Sequence, residues 1–387
     1  MSVKIKVLYI SSMPLSGETG GSAVMRNHLI NDRFEVFEIN NAIWLEHRAL
    51  SKIEMKFKNS RFHYWFNTYQ HLFLRKNLNK KQYQRIREFQ ADVIITVAHG
   101  ELFWIALKMS HQLRLPIISI FHDWWPLLFD QSNVYPVFYR NLINQRFRKL
   151  YKYSDCVLCI SEGMKLELGR HLNSKILYPC TEVVNLEIFL EAKEAIKSDK
   201  PFNIYYAGNI ADSYGRLLQQ LIRDLPEDEN LQLTILGKPH DWPEDIKLLA
   251  KQKKIVKEPL PHNEFIKELS EASAFLVTLG FEEELALLMK TNFPSKIALY
   301  AQYKKPIIIW GPSYSTGVKF MKENDAGIVV EDESVGVLIE QIRTLRNSIS
   351  LQELYAQKSG DLYNQILNPI VLQNQFIQIV SEIAHDK

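Results

Sequence analysis

Residues 292–312 read NFPSKIALYAQYKKPIIIWGP, and this stretch holds one complete transition from a helix to a strand. Pro294 precedes a segment with helical spacing, which predicts a helix that begins at Ser295 or Lys296. After a turn of two lysines, Pro306 opens a run that is apolar throughout. A strand that is apolar on both faces is typical of a parallel sheet with helices on both sides. The stretch therefore predicts an α/β fold.

The same alternation of short Val- and Ile-rich runs with helical segments extends through both halves of the chain. Residues 182–201 interrupt the alternation and mark a boundary between two series of strands. Two open sheets in tandem predict two Rossmann-like domains with a central cleft, because ligands bind at the carboxyl ends of the strands in such sheets. We predict strands at residues 4–10, 34–39, 93–97, 117–121, 156–160 and 175–178, and then at 203–207, 232–236, 255–257, 274–278, 306–310 and 327–330.

The overall composition excludes several classes of protein. The length of 387 residues favours about two domains, and a formal net charge of +3 gives no field suited to nucleic acid. Three cysteines are too few for a disulfide framework, and the C-x-x-C of Cys156 and Cys159 lies in a predicted strand, which indicates buried thiols. No apolar run approaches the roughly 20 residues of a membrane helix, and the first residues lack the apolar region of a signal peptide. We therefore expect a cytoplasmic protein.

Residues 52–87 combine an excess of Lys and Arg with interleaved aromatic residues. One interpretation is a surface that binds anionic membrane lipids, which would make the protein peripheral on the inner face of the membrane. The other interpretation is a solvated pair of basic helices that pack through their aromatic residues. The sequence leaves both open.

Gly20 and Gly21 follow the first predicted strand and directly precede a helix that we predict to begin near Ser22. Glycine at this position lets the backbone approach a ligand closely and directs the N–H groups of the helix at an anion. The spacing matches neither a dinucleotide-binding glycine motif nor a P-loop. A flexible loop is the alternative interpretation.

Polar residues also end two further strands of the first half. His122 and Asp123 end a strand in IISIFHDWWP, and His99 and Gly100 end the strand before it. The carboxyl ends of these strands face the predicted cleft, which favours a role in chemistry for His122 and Asp123. The alternative is a core histidine that Asp123 holds in place.

In the second half, Arg216 stands at the start of a predicted helix, where a guanidinium and the helix dipole would hold an anion together. A solvated surface arginine is an equally good interpretation. The helix that begins at Ser295 or Lys296 likewise suits the phosphates or the ribose of a nucleotide.

Taken together, several segments resemble the GT-B glycosyltransferases of family 4, also called the group 1 transferases, and the resemblance extends over the whole chain. The segments are the turn with Gly20 and Gly21, HDWWP, RFRKLYKYSDCVLCISEGM, YYAGNI, LPHNEFIKELSEASAFLVTL and FPSKIALYAQYKKPII. The resemblance implies a GT-B fold whose last helix crosses back to the first domain. Residues 1–190 with about 366–387 would then bind the acceptor, and residues 191–365 would bind the nucleotide-sugar donor.

The resemblance also implies the site residues. His122, with Asp123 beside it, would contact the transferred sugar and help to align the reaction, and His99 and Gly100 would lie on the acceptor side. The implied donor-binding residues are Gly20, Gly21, Gly208, Asn209, Arg216, Pro294, Ser295 and Lys296.

Three positions depart from the family pattern and bear on the identity of the donor. Leu299 stands where the family often has an acidic residue that grips the ribose, Asn209 stands where an arginine is common, and Lys304 replaces the usual glycine before the Lys-Pro pair. No D-x-D triplet occurs in the chain. The resemblance therefore implies transfer without a metal, in which Lys, Arg and helix dipoles neutralise the diphosphate.

The function that the resemblance implies is retaining transfer of a hexose to a glycan or lipid-linked acceptor in the biosynthesis of cell-surface polysaccharide or glycolipid. No cofactor is expected, because the nucleotide sugar is a substrate. Two alternatives stay open: a non-catalytic GT-B-like subunit that binds a sugar nucleotide or a partner transferase, and a sugar-nucleotide epimerase.

Overall fold

The structure is a computed structural model, and it describes residues 4–17, 19–40, 56, 80–100, 102–127, 135–182, 201–226 and 228–385. The chain divides into two compact units. The first unit comprises Met1–Cys180 and Leu372–Lys387, and the second comprises Thr181–Val371. The sequence prediction ended the first domain at residue 190 and resumed it at about 366.

The first unit is built on six parallel strands in the order β2-β1-β3-β4-β5-β6. The inner strands are largely buried from both sides, as a parallel sheet covered by helices requires, whereas the two edge strands are partly exposed. Its elements are β1 (Ile5–Ile10), α1 (Gly20–Leu29), β2 (Phe34–Ile39), α2 (Lys80–Phe89), β3 (Val93–Val97), α3 (Leu102–Leu113), β4 (Ile117–Phe121), α4 (Val137–Tyr153), β5 (Cys156–Cys159), α5 (Glu162–Leu168) and β6 (Ser174–Ile176).

The second unit repeats this design with six parallel strands in the order β12-β11-β10-β7-β8-β9. From β7 to α9 its elements are β7 (Phe202–Ala207), α6 (Asp212–Asp224), β8 (Leu231–Leu236), α7 (Glu244–Gln252), β9 (Val256–Lys257), α8 (His262–Ser270), β10 (Ala274–Thr278), a 3-10 turn (Glu283–Leu285) and α9 (Ala286–Thr291). From α10 onward they are α10 (Ser295–Ala301), β11 (Ile307–Trp310), α11 (Thr316–Glu323), β12 (Ile328–Val330), α12 (Val335–Arg346), α13 (Ile349–Leu362) and a π-helical turn (Tyr363–Leu367).

The predicted fold class is confirmed: both sheets are parallel, and each of the twelve predicted strands is present within a few residues of its expected place. In each sheet the strand order reverses direction once, between β1 and β3 in the first unit and between β7 and β10 in the second. Ligands of open α/β sheets bind at such reversals, beside the carboxyl ends of the strands. The topology therefore predicts that ligand-binding residues lie in the segments that follow these four strands.

The last helix, α14 (Pro369–His385), packs on the core of the first unit, as the resemblance implied. Phe376, Ile379 and Val380 are buried in that core, and burial of each such side chain contributes roughly 1.5–3 kcal/mol. At the surface, the Lys175 ammonium lies 2.9 Å from the Glu382 carboxylate. The end of the chain is therefore an integral part of the first unit.

A buried histidine, His28, lies on α1 and packs against α14. The His28 ring stacks on Phe376 with 4.6 Å between ring centroids. In the part of the chain that the structure describes, neither of its ring nitrogens has a hydrogen-bond partner. Burial, reinforced by the nearby His122 imidazole, lowers the pKa of His28 to about 3. His28 is therefore neutral at physiological pH.

We expect the substitution His28→Phe to reduce the loss of stability in acid. An unfolded chain protonates His28 near pH 6.5, whereas the folded protein does so only near pH 3, so stability falls as the pH drops through this window. The slope from this one group is at most about 1.4 kcal/mol per pH unit. Urea unfolding across the window measures it, with the exposed His111→Phe as the matched control. Equal slopes for the wild type and His28→Phe would contradict the assignment.

Candidate functional site

In the first unit, the amino terminus of α1 is part of the candidate site. The helix begins at Gly20 and not near Ser22, so the two glycines are its first turn and not the loop before it. The reason is Thr19, whose hydroxyl oxygen accepts a hydrogen bond from the Ser22 N–H at 3.3 Å and caps the helix. A methyl group placed at Gly20 would meet no atom of the described residues within 4 Å, so the first turn lies open.

Gly21 brings this helix close to the end of β1 and to His122. A side-chain carbon at Gly21 would lie 2.7 Å from the Met13 sulfur and 3.9 Å from His122 Nδ1. A larger residue there would have to displace the end of the Met13 side chain, and its first carbon would be in van der Waals contact with His122. The structure places Gly21 and His122 side by side, as their shared assignment to one site requires.

His122 follows β4 and is only 8% exposed. Burial lowers its pKa, the Asp123 carboxylate opposes this effect, and His99 adds to it. The net result is a neutral imidazole at physiological pH, with one nitrogen that donates and one that accepts hydrogen bonds. A neutral imidazole can form a hydrogen bond with a sugar hydroxyl without adding a charge to the site.

Gly100 and His99 end β3 at the same edge of the sheet. Gly100 has a φ of 67°, and a side chain there would collide with that of Ser12. Glycine is therefore required for the close approach of the chain after β1 to the chain after β3. The His99 ring lies 5.9 Å from the Trp125 ring. The backbone path at this edge of the sheet therefore requires glycine at position 100. A role of Gly100 in acceptor binding stays a prediction.

In the second unit, Gly208 and Lys296 meet at the end of β7. Gly208 has a φ of 126°, and a side-chain carbon there would lie 3.0 Å from Lys296 Cε and 3.3 Å from Nζ. The lysine side chain thus extends over the bare backbone of the glycine. Two residues that are 88 positions apart in the sequence form one surface.

The Lys296 ammonium is held by aromatic rings. Its Nζ lies 4.7 Å from the centre of the Tyr206 ring and 5.4 Å from that of Tyr214. Within the described residues it makes no ion pair and no hydrogen bond. Burial lowers its pKa from 10.5 to about 8. The site therefore contains a fixed cation whose charge no carboxylate of the described residues neutralises.

The residues around Lys296 divide into structural and accessible ones. The helix α10 begins at Ser295, as predicted, with Pro294 at the capping position and Ser295 exposed. Pro294 also packs against Gly317, where a side-chain carbon would lie 2.7 Å from the proline ring. Leu299 is partly buried one turn further along α10. A helix of seven residues has a weak dipole, so Lys296 supplies most of the positive potential here.

The helix α6 begins at Asp212, so Arg216 lies in its second turn and not at its start as predicted. Arg216 also forms an ion pair that the sequence did not predict. Its Nη2 lies 2.7 Å from Glu282 Oε1, in the segment that follows β10. Glu282 Oε2 is buried and has no hydrogen-bond partner within the described ranges. Arg216 is therefore paired near the strand reversal while its side chain stays 60% exposed, and its contact with a donor stays a prediction.

Asn209 serves the turn after β7. Its side-chain oxygen accepts a hydrogen bond from the Ala211 N–H at 3.0 Å, and its carbonyl accepts one from the Tyr206 hydroxyl at 2.6 Å. These bonds fix the path of the chain from Gly208 to α6. The structure thus gives Asn209 a backbone role, and its contact with a donor stays a prediction.

The comparisons with known proteins agree with this architecture. Residues 47–177 match the model of Glycosyltransferase Family 4. The Anabaena protein Alr3699/HepE, solved in complex with UDP, superposes with a TM-score of 0.64 at 12% identity, covering 98% of this chain and 100% of that one. A glycosyltransferase from Rickettsia africae ESF-5 gives a TM-score of 0.63 at 14% identity and covers 99% and 100%. The fold is that of the GT-B glycosyltransferases.

The predicted resemblance to GT-B glycosyltransferases of the group 1 type is thereby confirmed. A further GT-B neighbour is WaaG, a glycosyltransferase involved in lipopolysaccharide biosynthesis, with a TM-score of 0.58 at 12% identity over 97% of this chain and 100% of that one. No curated protein sequence matches this chain.

Several features of the GT-B chain were not apparent from the sequence. Tyr206 and Tyr214 contact Lys296, but ordinary strand and helix patterns explain their positions equally well. Glu282, which pairs with Arg216, lies between β10 and the 3-10 turn, where the sequence assigned it no role. Cys156 and Cys159 are buried free thiols, as predicted.

The described residues show neither a metal-binding cluster nor a membrane-spanning helix. They contain no group of three or more His, Cys, Asp or Glu side chains arranged to hold a metal ion. Of the helices in the described ranges, none is long and apolar enough to cross a membrane.

Proposed function

We propose that this protein transfers a hexose from a nucleotide sugar to a glycan or lipid-linked acceptor, with retention and without a metal or cofactor. The observation that carries the proposal is Lys296, an uncompensated ammonium at the strand reversal of the second unit. Holding a cation unpaired and partly buried is unfavourable, and an anionic ligand at that point removes the penalty. The diphosphate of a nucleotide sugar is such a ligand.

The relatives support this choice of donor. Alr3699/HepE was also solved with UDP-glucose, at a TM-score of 0.62. A trehalose-phosphate synthase from Burkholderia xenovorans, described as UDP-forming and solved with glucose-6-phosphate, superposes at 0.56. We infer that a uridine diphosphate sugar is the donor and that a sugar hydroxyl is the acceptor.

In the proposed reaction, the bond from the anomeric carbon to the diphosphate oxygen breaks as the acceptor oxygen forms a bond on the same face. The proton of the acceptor hydroxyl passes to an oxygen of the departing diphosphate. Lys296, with Arg216, stabilises the charge that develops on the leaving group, and a single such group contributes on the order of 3 kcal/mol. In the first unit, the neutral His122 accepts a hydrogen bond from a hydroxyl of the transferred sugar or donates one to it.

We further propose that the first unit binds the acceptor and that the protein works in the cytoplasm, in cell-surface polysaccharide or glycolipid biosynthesis. Contact with an anionic membrane surface is part of the proposal. Most of the basic segment 52–87 lies outside the described residues, but Arg85 and Arg87 on α2 are exposed. Each basic side chain near such a surface contributes about 1 kcal/mol.

A panel of nucleotide sugars with different bases tests the proposal most directly. We expect UDP-sugars to raise the melting temperature, because a ligand at about 100 times its dissociation constant adds roughly 2.7 kcal/mol to folded-state stability. GDP-, ADP- and CMP-sugars are the controls. If no member of the panel stabilises the protein, the proposal is wrong. Binding without transfer or hydrolysis would favour the non-catalytic alternative, and conversion of the donor to its epimer without acceptor would favour the epimerase.

A further inference from the structure

A basic groove lies in the first unit at the amino ends of β5 and β6, away from the carboxyl ends that carry His122 and Gly100. Its volume is about 560 Å³, within the range of small-molecule sites. Residues that line it include Arg148, Lys152, Asp155, Arg170, His171 and Leu172. No part of the proposed sugar transfer uses this groove.

Among the described residues, no carboxylate forms an ion pair with the three cations of the groove. The Arg148 guanidinium lies 5.3 Å from the centre of the Trp124 ring, and the Lys152 ammonium lies 5.3 Å from that of Tyr153. In the ranges that the structure describes, neither of them nor Arg170 forms an ion pair. Aromatic faces orient a cation without occupying its N–H groups, so these groups remain available to a ligand.

Of the described residues that line the groove, one is acidic, and its carboxylate is already engaged. Asp155 Oδ2 accepts a hydrogen bond from the Ile117 N–H at 2.8 Å, which fixes the carboxylate toward β4. With three cations and one carboxylate, the groove carries an excess of positive charge. The shape and the sign of the site therefore both favour an anion.

Unpaired backbone carbonyls at the ends of α4 and α5 would repel an anion. Two of them accept hydrogen bonds from side chains of the groove. His171 Nδ1 accepts the Asn173 N–H at 3.1 Å, so the ring proton is on Nε2, which donates to the Ser154 carbonyl oxygen at 3.1 Å. The Tyr151 hydroxyl donates to the Gly169 carbonyl oxygen at 2.6 Å. One carbonyl at the end of each helix is thus paired, which reduces the repulsion that an anion would meet there.

We propose that this groove binds the phosphate group of a phosphate ester. Guanidinium groups match the geometry of phosphate oxygens, and an ammonium adds a third positive contact. The volume leaves room for more than the phosphate. At the rim, the side chain of Leu172 is 95% exposed and gives the organic part of the ester an apolar contact. The ester is either a soluble metabolite or the headgroup of a membrane lipid, and the two sources share this chemistry.

The test compares two double charge reversals. Lys152→Glu with Arg170→Glu removes two cations of the groove, whereas Lys251→Glu with Lys267→Glu makes the same change in net charge at exposed sites of the second unit. The probes are inorganic pyrophosphate, and vesicles of equal parts phosphatidylglycerol and phosphatidylcholine with pure phosphatidylcholine vesicles as reference. We expect affinity at the groove to fall at least about 30-fold in the groove variant, which in a pyrophosphate titration leaves only binding outside the groove. The control variant should bind both probes as the wild type does.

A second measurement locates the ligand directly, because pyrophosphate can also bind at Lys296. Acetylation of Lys152, followed by mass spectrometry, should slow about tenfold at about ten times the dissociation constant of the probe, while acetylation of Lys251 should not change. Protection by pyrophosphate identifies a soluble ester, and protection by the anionic vesicles alone identifies a lipid. If neither probe protects Lys152, or if both double variants lose affinity equally, the proposal is wrong. UDP-sugar binding is measured in parallel and should be unchanged, so that failure here is distinct from failure of the proposed transferase activity.

Discussion

Replacing His122 with alanine should lower the rate of sugar transfer by at least about 100-fold while leaving the protein folded. His122 is buried at the carboxyl end of β4 beside Gly21, and its lowered pKa keeps the imidazole neutral. Alanine would remove the proposed hydrogen bond to the transferred sugar. It would also leave a space that water can fill. A misaligned donor then loses transition-state stabilisation, so the change should appear mainly in kcat.

The measurement is steady-state transfer of a labelled sugar, with circular dichroism and thermal melting on the same samples. His111→Ala, at an exposed position of α3, is the matched control and should leave transfer unchanged. His122→Asn keeps a donor and an acceptor and should recover part of the rate. Near wild-type turnover in His122→Ala would remove His122 from the mechanism.

The fold was predictable because its main signal is local. The inner strands of both sheets are short, largely apolar runs, such as Ile307–Trp310, and burial from both sides makes such a run stand out between polar helical segments. The start of α1 was misplaced because two glycines suggested a loop. The capping hydroxyl of Thr19 was the better signal, since Thr is a favoured residue at a helix start.

The candidate site was only partly predictable, because its geometry depends on contacts between distant segments. His122 and Lys296 were found from their positions at element ends. The aromatic support of Lys296 could not be found, because Tyr206 is a strand residue and Tyr214 a helix residue of ordinary type. Likewise, Glu282 gained a role only when the fold brought it to Arg216.

Replacing Lys296 with methionine should weaken donor binding and stabilise the protein at the same time. In the folded state, burial lowers the pKa of Lys296 to about 8 from an ordinary 10.5. At neutral pH both folded and unfolded chains carry the charge, and the folded state bears the desolvation cost, which is up to about 3 kcal/mol before the contacts with Tyr206 and Tyr214 are subtracted. Methionine fills similar space without this cost.

The sign of the pH dependence distinguishes this cause from a general packing effect. Between pH 8 and 10.5 the unfolded chain holds more protons than the folded one, so the wild type gains stability as the pH rises through this window. The advantage of Lys296→Met should therefore be largest below pH 8 and vanish near pH 10.5. Melting temperatures across this range provide the measurement, with the exposed Lys290→Met as the control.

Donor binding should change in the opposite direction. Loss of the ammonium should weaken the binding of UDP and UDP-sugars on the order of 100-fold, since it leaves a diphosphate charge without its partner. For the wild type, affinity should decline as the pH rises through about 8, where Lys296 loses its proton, and this decline should be absent in the variant. Calorimetric titration at several pH values measures both effects. A variant that is more stable but binds UDP as tightly as the wild type would show that Lys296 is a buried lysine without a ligand, and the donor site would have to lie elsewhere in the fold.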